Sequence, residues 1–509
     1  MSKIKQSEKS IKLSPIIFVL VLGLGIVLLS LILSLFQIEG PKATIIALQD
    51  SNLPYGVETT VSTVKNAFSK DGIVFMLKNI STGTAMFKPL IMLIIVMIGI
   101  SVGEVSGLFY SWFNRFKKIR ISVLTFAVFF LGVISSYFGI EIYLILLPLA
   151  GIFYKYTEKN PMLGIYTIFL GISMGLGTSL LFDYSDHILG LTTQIAANIE
   201  RNNNYVYSLY STAFIKFASS LLFSFLGTVI ILKFLYPKIQ KARMEIMEPD
   251  KKGLLLTTIM FAVLSVIVIY QIIPGLPFSG NLLDESQSRY LLQLMSTDSL
   301  FKQSYIYIFT IMMMICGAVY GFANKTFSNN IDYSKSLFES IKKTWQLFVL
   351  MFFAIQVMSL FEWTNIGEVL ATKLIDLLAV LQFSGLLLIL AFIIVIILIA
   401  LVMPVAEQKW KFISPIAVPL FMRSNMTPGF TQFIYSVSDG IGKTMSLVSI
   451  NIYILVGMLQ KYTDDDITVF GTLKTIFTTV VLLTGIWIVI ILSWYIIGLP
   501  LGINTFATI

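Results

Sequence analysis

The chain has 509 residues, of which 56% are hydrophobic and 12% charged, with 36 Lys and Arg against 27 Asp and Glu. A soluble chain of this length would divide into roughly three or four domains, and that composition excludes it; the chain reads as an all-α polytopic membrane protein. The basic surplus sits in short clusters at the ends of apolar runs, as cytoplasmic flanks of membrane spans do, so lipid bilayer and not nucleic acid is the expected partner.

A helical span needs about 20 apolar residues, because every backbone N–H and C=O at bilayer depth must be paired within the segment. About nine to eleven segments meet that measure. Residues 1–14, carrying KIKQSEKSIK, form a cytoplasmic N-terminus. Pro15–Phe36 follows as an anchor, its apolar stretch too long for a signal-peptide core. The segment from Phe36 to Thr84 is poor in bases and is placed outside the cell, with a short amphipathic helix expected in Val61–Ile80. Spans are then expected at Phe87–Phe109, Ile121–Tyr137, Ile140–Phe153 and Ala213–Leu235, completing a first half over 15–240. A charged cytoplasmic linker, 241–253, leads to a second half over 254–509. Its spans are Leu254–Ile273, Tyr305–Ala323, Leu347–Phe361, Ser384–Val402 and Phe477–Ile497.

Two regions, Asn160–Glu200 and Pro404–Tyr462, are too apolar for loops and too broken by Gly, Pro, Ser and charge for plain spans. GLGTS, Gly175–Ser179, is a poor way to continue a helix, since glycine costs about 1 kcal/mol relative to alanine there. Irregular backbone at membrane depth is tolerated where it is buried in protein or lines a wet cavity, and paired broken segments in two halves point to a transporter's solute site. The alternative is a set of short helices without function.

Acids and bases at bilayer depth cost at least ~2.5 kcal/mol and usually carry function. Glu407, Lys409, Asp439 and Lys443 fall in the second broken region; Asp183 and Asp186 follow the first, beside Ser179. Asp439 and Lys443 are four apart and share a helical face, so they can pair. Glu104 lies inside another span, where a packing or tip-binding role is expected. Lys409 and Lys411 also fit snorkelling bases, Trp410 an interfacial anchor, and Asp439–Lys443 a static pair. One cysteine, Cys316, and one histidine, His187, allow no intrachain disulfide and no thiolate or imidazole metal site, so no cofactor is expected.

The text KWKFISPIAVPLFMRSNMTPGFTQFIYSVSD, Lys409–Asp439, together with FFAIQVMSLFEWTNIG, GAVYGFANKT, QKYTDD and WYIIGLPLGI, resembles the AbgT family of transporters. The resemblance runs from about Phe87 onward. It implies a homodimer of protomers with nine spanning helices and two re-entrant hairpins, near 162–182 and 386–421, in an inverted repeat, the second turning at Pro404–Gln408. Asp186, Trp410, Pro428 and Asp439 match positions the family uses along its substrate and cation path.

Departures from the family pattern are equally specific. Val405, Ala406, Glu407 and Gln408 replace a Ser-Ala-Ser-Ala tip, Ala400 and Lys443 replace asparagines, and the arginine of a Tyr-Arg-Ile-Gly-Asp-Ser step is absent from Tyr435–Gly440. A sodium site in a broken-helix carrier needs several oxygen ligands. Lys443 is therefore expected to stand where sodium would sit, leaving coupling to protons through Asp439, Glu407 or Asp186. The expected function is secondary active transport of a small polar or amphipathic organic solute across the cytoplasmic membrane. A membrane-embedded enzyme is the first alternative, although HExxH does not occur and one histidine and one cysteine offer little for catalysis; a transport-dead homologue acting as sensor or scaffold is the second.

Overall fold

The computed structural model describes residues 13–47, 55–86, 88–139, 141–178, 184–201, 205–240, 242 and 253–509. Helix α1, Pro15–Leu35, opens on proline at its first position, with Ser14 accepting from Ile17 N. Strands β1, Glu39–Ala47, and β2, Tyr55–Thr63, then pair antiparallel with Glu39 opposite Thr63. This sheet departs from the all-helical expectation. Its cue was the β-branched content of ATIIA and VETTVST. Helix α2, Lys70–Met86, starts later than the amphipathic helix expected from Val61, because Val61–Thr63 belong to β2.

Helix α3, Lys88–Val105, is followed by the short α4, Leu108–Phe113, after a turn at Gly107 with φ 86°. Next come α5, Ile121–Ser135, α6, Ile142–Tyr156, α7, Pro161–Met174, α8, Tyr184–Arg201, and α9, Ala213–Ile230. The second half holds α10, Leu254–Gln271, α11, Tyr290–Met295, α12, Leu300–Ala323, and α13, Asn330–Ser336. It continues with α14, Glu339–Trp363, α15, Ile366–Val380, α16, Gly385–Val402, and α17, Ala406–Arg423. The last helices are α18, Pro428–Met445, α19, Ile450–Gln460, and α20, Val469–Ile497. Among the described residues eight helices are long and apolar enough to cross a bilayer, and the α18–α19 pair, bent by 47°, makes a ninth.

Helices α5 and α6 have 15 residues each and α7 has 14. At 1.5 Å per residue each covers roughly 22 Å, short of a ~30 Å hydrocarbon layer. Tyr154 on α6 nevertheless donates to Thr125 Oγ1 on α5 at 3.0 Å, although the two are 29 positions apart and a continuous helix would separate them by about 43 Å. The chain therefore folds back at Ser136–Glu141. The expected spans Ile121–Tyr137 and Ile140–Phe153 are the two arms of one helical hairpin. In the second half Phe392 on α16 meets Phe421 on α17 with ring centroids 5.0 Å apart, again 29 positions apart, so α16 and α17 form the counterpart hairpin, folding back at Met403–Val405.

The hairpin expected at 162–182 does not appear where it was placed. Pro161–Met174 is a single helix with no return arm in its described part, and it ends on Gly175 and Gly177, the latter at φ 87°. Ser179–Phe182 lie outside the described residues. Sequence reading took the glycines as a turn between arms; they end α7 beside a hairpin already closed upstream.

The same order of elements recurs in both halves. A long helix (α3; α14), a hairpin (α5–α6; α16–α17), a proline-started helix with a second helix after it (α7, α8; α18, α19) and a final helix (α9; α20) follow one another. In each half the first hairpin arm packs closely on the broken helix through small residues. A Cβ on Gly132 would meet Gly171 Cα at 2.9 Å, and one on Gly442 would meet the Ala400 Cβ at 2.5 Å. Hairpin ends and helix breaks also bond: Ser136 Oγ lies 3.1 Å from Gly175 O, and Ser446 donates to Leu401 O at 2.7 Å.

Gly171→Ala should lower the melting temperature of the detergent-purified protein, by on the order of 1–3 kcal/mol in stability, because its Cβ would lie 2.7 Å from Phe129 O. Gly485→Ala in α20, where nothing lies within 4 Å, should be neutral or slightly stabilising. Equal effects at the two sites would contradict the α5–α7 contact.

Candidate functional site

A cavity of about 1050 Å³ lies where the hairpin ends and helix breaks converge. Its wall includes Ser136 and Tyr143 of the first hairpin, Gly177 at the α7 break, Asp186 and Leu189 of α8, Met403–Gln408 at the second fold-back, and Tyr435, Ser436, Asp439 and Lys443 of α18. Strand β1 supplies Lys42, whose ammonium is 3.0 Å from Glu368 on α15; Ser62 of β2 donates to the same carboxylate at 2.7 Å. The sheet is thus fastened to α15 and forms part of the cavity wall.

The cavity's densest charge is at Asp439. Lys409 of α17 pairs with its Oδ1, and Lys443, one turn further along α18, lies 2.6 Å from its Oδ2. Lys409 is fully buried and Asp439 is 2% exposed. Two ammonium charges on one carboxylate leave this trio at +1, and among the described residues neither lysine has a second carboxylate within 4.0 Å. The spacing of Asp439 and Lys443 predicted their pairing; Lys409 is a third partner that two-residue spacing from Glu407 could not reveal. It is not a snorkelling base, since no part of it reaches the surface.

Asp186 sits in the first turn of α8, 5% exposed, and pairs with Lys216 of α9. Trp410, also fully buried, is not an interfacial anchor: its indole N–H donates to Thr193 Oγ1 at 2.9 Å, and its ring lies over Tyr435 with centroids 4.3 Å apart. Thr193 donates to Gln432 Oε1 at 2.7 Å, and Gln432 Nε2 donates to Asp186 O at 3.0 Å. Side chains of α17, α8 and α18 are joined in this way from Trp410 to the backbone of Asp186.

Asp186, Glu407, Asp439 and Lys443 line the cavity, whereas Lys409 and Trp410 stand behind its wall. Pro428 does not line it; it is the first residue of α18, next to Thr427, whose N–H bonds Ala507 O at 2.9 Å. Ser179 and Asp183 lie outside the described residues. Sequence reasoning missed Lys216, Thr193 and Gln432. Lys216 carried a usable signal, being a lysine inside the apolar run AFIKFASSLLF; the others are ordinary polar residues that only the fold assembles. Glu104 is remote from this wall and binds Lys461 at 2.8 Å, Lys155 at 3.3 Å and Ser340 Oγ at 3.1 Å, fastening α3 to α6, α14 and the end of α19.

Helix breaks in both halves meeting, between two hairpins, at a cavity whose wall carries Asp186, Glu407, Asp439 and Lys443 are the build of a membrane solute carrier. Residues 10–509 match the family described as "AbgT putative transporter family". The chain belongs to this family of membrane transporters. The p-aminobenzoyl-glutamate transport protein of Escherichia coli (strain K12) is 23% identical over 459 residues, with 87% of each chain covered. Two solved structures align along most of the chain. The YdaH transporter of Alcanivorax borkumensis is 23% identical, with 96% of this chain and 100% of that one covered and a TM-score of 0.48. MtrF of Neisseria gonorrhoeae, described as illuminating a class of antimetabolite efflux pumps, is 22% identical, with 97% and 98% covered and a TM-score of 0.47.

Removing one partner of a buried ion pair costs about 3–5 kcal/mol when it strands a charge. Asp439→Asn strands two lysines, whereas Lys409→Met leaves Asp439 balanced by Lys443. Thermal melting of the purified variants should show the larger loss for Asp439→Asn by several degrees. Equal losses, or the reverse order, would contradict the +1 assignment of the trio.

Proposed function

We propose that this protein is a secondary active transporter that moves a small organic solute across the cytoplasmic membrane by alternating access. The two halves act as inverted counterparts, with the cavity between their broken helices as the solute site. The supporting observation is the Asp439 trio, a buried ionic centre on the wall of a cavity large enough for an organic molecule. Asp186, Glu407, Asp439 and Lys443 face the solute, while Lys409 and Trp410 hold the wall. The E. coli relative's name makes p-aminobenzoyl-glutamate the first solute to try, followed by amino acids and short peptides.

The coupling ion is the proton and not sodium. Both oxygens of the Asp439 carboxylate are taken by ammonium groups, so the oxygen ligands a sodium ion needs are unavailable there. The working unit is a homodimer, as the family resemblance implies, and the N-terminus is cytoplasmic.

In proteoliposomes at fixed membrane potential, solute uptake should be unchanged when choline replaces sodium and should collapse with the pH gradient. A sodium requirement at constant pH gradient would contradict proton coupling. Absence of flux for every solute that stabilises the protein would favour a sensor or scaffold.

A further inference from the structure

A second cavity, of about 640 Å³, lies at the end of the bundle where α1 begins and shares no wall residue with the first. Phe18 of α1 stands on one side; Met162 of α7, Lys238 at the end of the span that continues α9, and Thr472 and Lys474 of α20 form the rest, with Asp466 on the loop before α20. Lys238 donates to Thr478 Oγ1 at 2.9 Å, and Thr478 lies one turn beyond Lys474, so the two lysines meet on one strip of α20. Thr472, 2% exposed, leaves its hydroxyl without a hydrogen-bond partner. Among the described residues Lys238, Lys474 and Asp466 are the charged members of this wall, and none of them forms an ion pair. Bases at the same end of the bundle do: Lys117 pairs with Glu158, and Lys155 and Lys461 with Glu104.

The depth of these groups points to lipid. The span from Ala213 runs on to Lys238, and α20 has 29 residues, about 43 Å of helix, which overhangs a ~30 Å hydrocarbon layer. Lys238 and the first turns of α20 therefore stand at headgroup depth. Asp466 lies at the rim before α20, while Lys474 is inside it, roughly 8 Å beyond its start. We propose that this cavity holds one phospholipid whose headgroup carries a phosphate and a primary ammonium. The phosphate sits on Lys238, Lys474 and the Thr472 hydroxyl, the ammonium on Asp466, and the acyl chains run along Phe18 and the exposed Phe470.

Each charge of the wall then has a partner. A phosphodiester takes charge-assisted hydrogen bonds from two ammonium groups and a hydroxyl, and basic pockets between membrane helices are a recurrent way of holding lipid headgroups. The order of charges also fits, because such a lipid turns its phosphate towards the glycerol and its ammonium towards water, and this wall sets its bases inside and its acid outside. A purely anionic headgroup would leave Asp466 facing a like charge. The start of α20 is not the receptor, since Thr468 caps it by accepting from Gly471 N at 3.0 Å. A lipid here fills the gap between α1 and the α7–α20 wall, and its binding is independent of the solute and of the coupling ion.

The test uses the full-length protein purified in detergent and stripped of lipid, with phosphatidylethanolamine, phosphatidylglycerol, soluble glycerophosphoethanolamine and inorganic phosphate as probes. Phosphatidylethanolamine should be retained in native mass spectrometry and raise the melting temperature saturably, and phosphatidylglycerol should bind more weakly. Lys238→Met and Lys474→Met should each weaken retention of phosphatidylethanolamine about tenfold, Thr472→Val should weaken it severalfold, and Lys474→Arg should keep it. Asp466→Asn should erase the preference over phosphatidylglycerol while leaving phosphatidylglycerol binding intact. Undiminished retention when Lys238→Met and Lys474→Met are combined, or phosphatidylglycerol binding to the unaltered protein as tightly as phosphatidylethanolamine, would overturn the proposal. Displacement of the lipid by glycerophosphoethanolamine or inorganic phosphate at equal concentration would also overturn it, leaving a site for a soluble phosphate.

Discussion

The carboxylate of Asp439 is the constraint around which the centre of this protein is arranged. It sits in the body of α18 and is met from both sides by ammonium groups, one from its own helix and one from the return arm of the second hairpin. A charge of this kind withdrawn from water is costly unless it is paired with good geometry, so the hairpin must dock where Lys409 reaches it. That docking places Trp410, the next residue, on the other side of α17. There its indole bonds α8, and through Thr193 and Gln432 the backbone of Asp186 is held. The ionic centre of the second half is therefore mechanically connected to the acid that follows the helix break of the first.

Recurrence of one plan explains how two such centres come to face one cavity. In each half a hairpin closes over the same 29-residue separation, its first arm lies against the broken helix through small residues, and a serine ties the fold-back to the break. Glycine at the contact lets backbones approach, which is the usual way membrane helices gain packing when the solvent is as apolar as their side chains. The breaks border the cavity, and irregular backbone at membrane depth is tolerated where it is buried in protein or lines such a cavity. Within that plan Lys409 and Lys443 place two ammonium groups on one buried carboxylate.

Much of this was legible in the sequence. Apolar run length gave the spans, the family motifs put the second fold-back at Pro404–Gln408, slightly past the Met403–Val405 break between α16 and α17, and the four-residue spacing gave the Asp439–Lys443 pair. The first hairpin was misplaced because its arms, Ile121–Ser135 and Ile142–Tyr156, are as apolar as spans and their turn at Ser136–Glu141 is short. The glycine-rich stretch at Gly175 then drew the assignment forty residues downstream. The β1–β2 sheet was hidden by the membrane context, which favours reading everything as helix or loop. Lys216, Thr193 and Gln432 escaped for a different reason: their significance comes from neighbours remote in sequence, and no local pattern encodes which polar residue of an apolar helix turns inward.

The central claim is that this cavity is the route a solute takes, opening to one side of the membrane at a time. The chain contains one cysteine, so Cys316→Ser provides a thiol-free background, and Val405→Cys then places a single exposed thiol on the cavity wall. In sealed vesicles of both orientations, a membrane-impermeant thiol reagent should label this cysteine from one side only, and a pH jump or a stabilising solute should change the side or the rate. Labelling from both faces at once, or protection from both faces under every condition, would contradict the account.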